Sequence, residues 1–306
     1  MAEAISRTID ANGLRFAIDE AGEGRDVALF LHGFPESRLC WRHQLPALAA
    51  LGWRAVAVDM RGYGQSSRPE AREAYRIENL VADVGSLFDA LGATRRLLIG
   101  HDWGGVVAWV AASRRVRPLD GLVIVNAPHP QVYRDAIGSS WRQRLRSWYL
   151  LYFALPWLPE TMLTSGHARQ VKRLLRRTAS RPGVFPPEIL ARYRDNASQP
   201  GAMTAMLNYY RANMTSRRAG RSDVSVPTLL LWGDRDFALG NELVPGTAAY
   251  VADLTVRMLP GVSHWAPEEA PDRVNAAMGE WLTGRGLVSG RHCEEPGMPG
   301  EDEIQS

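Results

Sequence analysis

The chain has 306 residues, 45% hydrophobic and 23% charged, with a formal net charge of +3, which allows a sizeable core in one large α/β domain or two smaller ones. Only Lys172 among the 36 basic residues is a lysine, the arginines are scattered and no basic motif interleaves with aromatics, so nucleic acid is not an expected partner. No run reaches the ~18 apolar residues of a membrane span, and the N-terminus MAEAISRTID lacks an apolar signal core.

Asn12-Gly13 is a strong turn dipeptide and predicts an early hairpin. A buried strand over 27–31 ends at His32-Gly33-Phe34-Pro35, followed by a helix over 41–50 and a strand over 55–58. Residues 77–91 have helical spacing, with Leu80, Val84, Leu87, Phe88 and Leu91 on one face and Gly92 as the stop. A strand over 97–99 feeds a sharp turn into a helix at 106–112, and a strand over 122–125 follows. Alternating strands and helices predict a mostly parallel sheet.

From 130 to 223 the alternation stops, and the segment reads as helical, aromatic and punctuated by prolines. Its densest basic run, 169–181, reads as a solvated helical stretch. Alternation resumes with a strand over 228–232, a helix over 242–251, a strand over 254–258 and a helix over 271–282. The expected layout is an α/β core formed by 1–129 and 224–287, with a helical lid (130–223) inserted between its halves. Residues 288–306 are polar and hold five acids against one arginine, which predicts a disordered tail. Cys293 lies in that tail and Cys40 far from it, so no disulfide is expected and the expected compartment is the reducing cytoplasm. Monomer and homodimer both fit.

The chemistry gathers on four loops at the carboxyl ends of strands, where open α/β sheets bind ligands. They are HGFP (32–35), GHDWGG (100–105), GDRD (233–236) and SHW (263–265). GHDWGG has the form of a nucleophile elbow with Asp102 where serine usually stands. Asp102, Asp236 and His264 follow the order nucleophile, acid, histidine. Asp234 is read as shaping the turn, and Asn126, at the alternative acid position, cannot serve as a carboxylate. His32 and His101 are read as structural neighbours, while Cys40, His43, His129 and His167 receive no role. No metal-ligand spacing is present, and the expected chemistry needs neither metal nor cofactor.

With DMRGYGQS (59–66) and NYYR (208–211), these motifs resemble the epoxide hydrolases of the α/β-hydrolase fold, over residues 5–284. The resemblance implies an inserted cap, a hydrophobic epoxide as substrate and a vicinal diol as product. It also implies two cap tyrosines that protonate the opening epoxide. Tyr210 matches one; Tyr149 matches the other, with Tyr152 three residues on as the alternative.

A carboxylate nucleophile needs no base of its own and attacks a saturated carbon, giving an alkyl ester of Asp102. His264, oriented by Asp236, can then activate the water that hydrolyses the ester. The N–H groups of Phe34 and Trp103 are the expected oxyanion donors. Phe34, Trp103, Trp148, Tyr152 and Phe153 are the expected substrate-binding wall, and Trp141 and Trp157 are also read as lid core or wall. Two rivals stand beside this reading. One is a haloalkane dehalogenase, whose family pairs the Trp after the nucleophile with an Asn where this chain has Phe34. The other is a non-catalytic binding protein on the same fold. A fluoroacetate-type dehalogenase fits poorly, because Trp103 and Val106 stand where its arginines belong.

Overall fold

The computed structural model describes residues 4–214 and 223–288. Strands β1 (Ile5–Ala11) and β2 (Leu14–Ala21) form the expected hairpin, with Asn12 at φ 48° and Gly13 at φ 71°. Such positive φ values are what a two-residue turn of matching twist demands. Strands β3 (Asp26–Leu31), β4 (Arg54–Val58), β5 (Arg95–His101), β6 (Gly121–Val125), β7 (Thr228–Gly233) and β8 (Leu254–Leu259) complete the sheet. Its order is β1-β2-β4-β3-β5-β6-β7-β8. Strand β2 is antiparallel to β1 and β4, and the remaining pairs are parallel.

The central strands are apolar without alternation because both faces of the sheet are covered. Leu29, Leu31 and Leu98 enter one core, while Ala28, Phe30, Leu97 and Ile99 enter the other. Helices α1 (Gln44–Ala49), α2 (Ile77–Ala90) and α3 (Trp103–Ser113) follow β3, β4 and β5. Between β6 and β7 the chain leaves the sheet for six helices: α4 (Pro130–Ser139), α5 (Trp141–Arg146), α6 (Trp148–Ala154), α7 (Leu158–Thr178), α8 (Pro187–Ser198) and α9 (Ala202–Asn213). Helix α7 is broken at 165–168, where Gly166, His167 and Ala168 take positive φ. The short α10 (Ala266–Glu269) and α11 (Pro271–Gly284) close the chain against the sheet. The sheet order, with helices inserted after β6, is that of an α/β-hydrolase fold with a helical cap.

Two expected helices are corrected. The one over 41–50 is a single 3-10 turn, Arg38–Trp41, followed by the shorter α1. The one over 242–251 is two 3-10 turns, Asn241–Leu243 and Pro245–Ala249. Pro245 lacks an N–H to donate and Gly246 adds backbone freedom, so a continuous α-helix does not form there. Residues 215–222, at the expected end of the cap, and the tail from 289, with Cys293, lie outside the described residues. Cys40 is a free, buried thiol. Among the described residues no helix is long and apolar enough to cross a membrane.

Candidate active site

Strand β5 ends at His101 and α3 begins at Trp103, so Asp102 alone makes the turn, at φ 51° and ψ −120°. A non-glycine residue pays strain for such backbone angles, and a function is the usual reason it is kept. The turn also needs room. A Cβ on Gly104 would lie 2.2 Å from the Leu31 carbonyl oxygen, and one on Gly33 would lie 2.3 Å from the Asp102 Cβ. The glycines of GHDWGG and HGFP thus let two loops close on one carboxylate, whose side chain keeps 20% of its surface accessible.

The Phe34 N–H donates to Asp102 Oδ1 at 2.8 Å. Trp103 is the first residue of α3, a position whose N–H has no acceptor within the helix. On the other side, His264 Nε2 lies 3.5 Å from Asp102 Oδ2, and His264 Nδ1 lies 2.7 Å from Asp236 Oδ2. Asp236 Oδ1 accepts from the N–H groups of Ala238 and Leu239, at 2.8 and 2.9 Å.

Burial disfavours an imidazolium at position 264, but Asp236 and Asp102 outweigh it and hold His264 well above the usual histidine range. Burial likewise works against the Asp102 carboxylate. The bond and charge of His264, then the charge of His101 and the Phe34 N–H, keep it below the usual carboxylate range. Both shifts favour an Asp102 carboxylate beside a His264 imidazolium, with Asp236 next in the row.

His101 and His32 brace this row. His101 lies 3.0 Å from Glu36 Oε2 and donates from Nε2 to the His264 carbonyl oxygen at 2.9 Å. His32 lies beneath the HGFP loop, where Nε2 accepts from the Met60 N–H and Nδ1 donates to the Gly33 carbonyl. That fixes one neutral tautomer, and burial pushes its proton affinity down.

Over Asp102 the cap sets a group of aromatic rings. Tyr210, from α9, meets Trp103, Phe34, Phe153 and Tyr149 at centroid distances of 5.1, 5.7, 4.9 and 6.1 Å. Its ring meets the Trp103 indole edge-on, at an interplanar angle of 88°. Burial, and then the Asp102 charge, push the Tyr210 phenol well above its usual range. Burial does the same for Tyr149, followed by Tyr133, Asp102 and Asp236. Arg211 locks the arrangement, bonding both Glu160 oxygens and the carbonyls of Phe153 and Leu155.

The model of the family described as alpha/beta hydrolase fold matches residues 27–271. Epoxide hydrolase 3 of Xenopus tropicalis is 37% identical over 89% of this chain and 75% of its own length. Epoxide hydrolase A of Mycobacterium tuberculosis is 34% identical over 93% of this chain and 99% of its own. The crystal structure of an epoxide hydrolase from Bacillus megaterium with an inhibitor superposes with a TM-score of 0.84, at 28% identity, over 90% of this chain and all of that one. The chain belongs to the epoxide hydrolase family of the α/β-hydrolase fold.

Within this family frame, the structure brings together Asp102, Asp236, His264, Phe34, Trp103, Phe153, Tyr149 and Tyr210. It separates others. Of the two candidates for the second tyrosine, Tyr149 packs against Tyr210 at 6.1 Å, whereas Tyr152 is half-buried against Trp148. Trp141 and Trp148, each 64% exposed, and Trp157, 80% exposed, are neither lid core nor pocket wall. In α6, side chains three or four apart share a face, so Tyr149 and Phe153 turn inward together and leave Trp148 outside.

Three residues escaped the sequence reading. Asn126, dismissed as an acid, donates to Asp236. Gln143 reaches from α5 to the loop carrying Asp236, donating to Ala238 O at 2.9 Å and accepting from Gly240 N at 3.0 Å. Tyr133 in α4 shares a hydrogen bond with Ser147 Oγ, 2.8 Å away, next to α6. None sits in a recognisable motif, and only the fold brings Gln143 to residue 238. Among the described residues no group of three or more His, Cys, Asp or Glu could hold a metal ion.

Proposed function

We propose that this protein converts a hydrophobic epoxide and water into a vicinal diol through an alkyl ester of Asp102. The ionised Asp102 attacks an epoxide carbon, and the C–O bond to the ring oxygen breaks. That oxygen takes a proton from Tyr210 or Tyr149. His264, charged in the resting site, supplies the proton that restores the phenol, so the first step ends with a neutral ester, a neutral imidazole and an alcohol. The loss of charge at Asp102 also removes one of the two carboxylates that kept His264 protonated. His264 thereby becomes a base when one is needed.

In the second step His264 takes a proton from water, and the hydroxide attacks the Asp102 carbonyl carbon. The oxyanion forms on the enzyme's own carboxylate oxygen, where the Phe34 N–H already donates and the Trp103 N–H lies on the next residue. Collapse expels the diol and returns the site to its charged form. The hydrophobic substrate class is inferred from Phe34, Phe153 and Trp103 around the nucleophile.

The observation that carries the epoxide reading is the buried Tyr210, whose ring meets Trp103 edge-on at 5.1 Å and Phe34 at 5.7 Å beside the nucleophile. A halide leaving group wants free N–H donors and no acid. Here two tyrosines, Tyr210 and Tyr149, pack beside the nucleophile as acids and Phe34 offers no side-chain donor, so the dehalogenase rival is disfavoured.

His264→Gln tests the scheme. Incubated with a styrene-type epoxide, this variant is expected to gain the mass of one substrate, located on Asp102 by peptide mapping. Absence of any adduct, alongside a fully active unsubstituted enzyme, sinks the two-step mechanism. Halide release without diol formation across a small panel would favour the dehalogenase.

A further inference from the structure

The cap's outer surface carries a feature that its place over Asp102 leaves unused. Twelve large apolar side chains stand exposed among the described residues, and eight of them fall between residues 141 and 162. Trp141, Leu145, Trp148 and Leu151 follow at steps of three or four along α5 and α6, which only Ser147 separates. Within each helix that spacing sets the pair on one face, Trp141 with Leu145 and Trp148 with Leu151. Leu155, Trp157 and Leu158 carry the surface on to the start of α7. A contiguous exposed apolar patch of this kind usually marks an interaction site.

The charge around it is mainly positive, although Arg146 lies 3.6 Å from Glu242. Residues 130–178 contain nine basic residues and two acids, Asp135 and Glu160. Glu160 is occupied by Arg211. Arg142, Arg144 and Arg146 are exposed and interleave with the apolar stripe itself, with Arg142 lying 5.6 Å over the Trp141 ring.

We propose that this face seats peripherally on an anionic lipid surface. Tryptophan rings favour the headgroup level of a bilayer, and arginines beside them meet anionic headgroups. A helix pair apolar outward and flanked by arginines lies in such an interface without crossing it. A second copy of the chain suits the surface less well. A two-fold contact would set Arg142, Arg144 and Arg146 of each copy against the same patch. The proposal is independent of the catalytic reading, since binding to vesicles needs no turnover.

The test is flotation of the full chain with vesicles of phosphatidylcholine alone, or of phosphatidylcholine mixed with phosphatidylglycerol, at low and high salt. Two variants accompany it: W141S/L145S/L151S/W157S, which strips the apolar stripe, and R142E/R144E, which reverses its charge. Circular dichroism and turnover of a dissolved epoxide check that each variant is folded. Binding is expected to the anionic vesicles, weakened by salt, and reduced about tenfold or more by either variant. No binding to anionic vesicles overturns the proposal, as does equal binding to both lipids. A dimer in analytical ultracentrifugation that only the stripped variant loses, with no vesicle binding, would assign the face to self-association instead.

Discussion

Asn126, at the end of β6, donates its side-chain amide to Asp236 Oδ2 at 2.9 Å, so one strand's carboxamide steadies the carboxylate carried by the next. The same side chain accepts from the Gly233 N–H at 3.0 Å, which fixes its orientation. Together with the Ala238 and Leu239 N–H groups, it gives both Asp236 oxygens donors besides His264. A carboxylate held this way keeps the imidazole in one orientation.

Asn126→Leu should therefore damage the second step more than the first. The change leaves the buried Gly233 N–H without its partner, a cost of about 1–3 kcal/mol. Thermal melting should register that loss, and single-turnover kinetics should show ester breakdown slowed about tenfold with alkylation little changed. Unaltered ester breakdown would mean that the backbone donors suffice.

The adjacent tyrosines of α9 should separate cleanly. Tyr210 sits over Asp102, whereas the fully buried Tyr209 donates to the Arg61 carbonyl oxygen at 2.8 Å. Tyr210→Phe is expected to slow ring opening by roughly 10²-fold, the low end of general acid catalysis, and Tyr149→Phe/Tyr210→Phe by far more. Tyr209→Phe should instead cost about 1 kcal/mol of stability and keep the rate. Stopped-flow quenching of tryptophan fluorescence, with Trp103 beside the nucleophile, follows the alkylation directly. If the double variant opened epoxides at full speed, the acid would have to be sought elsewhere.

These contrasts show what the sequence made legible. The strands of the core were readable because burial on both sheet faces makes them uninterrupted apolar runs, and the elbow because close approach leaves glycine no substitute at 104. Asp102, Asp236 and His264 lay in short loop motifs at strand ends. The cap was harder. Its aromatics at 141, 148, 149, 152, 153 and 157 look alike in the sequence, and only the helix phase separates Tyr149 and Phe153 from the exposed tryptophans. Asn126 and Gln143 act on a loop more than 90 residues away in the chain, through contacts that no local pattern encodes.

Gln143 supplies a test of how the cap bears on the acid. Its amide joins α5 to the loop whose N–H groups hold Asp236, and it also donates to Ser147 Oγ at 3.0 Å. Gln143→Leu strands the buried Gly240 N–H and Ala238 carbonyl, at about 1–3 kcal/mol for each group left unpaired. Lower thermal stability is expected together with slower ester hydrolysis, whereas Gln143→Glu, which keeps an acceptor for Gly240, should recover part of both. A stability loss with hydrolysis untouched would make Gln143 a cap anchor alone.

The charge row of the resting site makes a prediction about pH. His264 is held above the ordinary histidine value of about 6.5, so its pairing stabilises the fold fully below that pH and stops doing so as pH rises through the raised folded value. Asp102 is depressed, so its contribution is present above the ordinary carboxylate value and fades as pH falls through the folded one. Alkylation should therefore slow on the alkaline side, where the imidazolium and its proton are lost. Ester hydrolysis should slow on the acid side, where the base is protonated. Asp102→Asn imitates the uncharged ester and should lower the His264 pKa, because one of its two facing carboxylates is gone. An NMR titration of the His264 ring in the parent and in this variant measures the difference. Coincident titration curves would show that Asp236 alone sets the charge on His264, and that alkylation does not release the base.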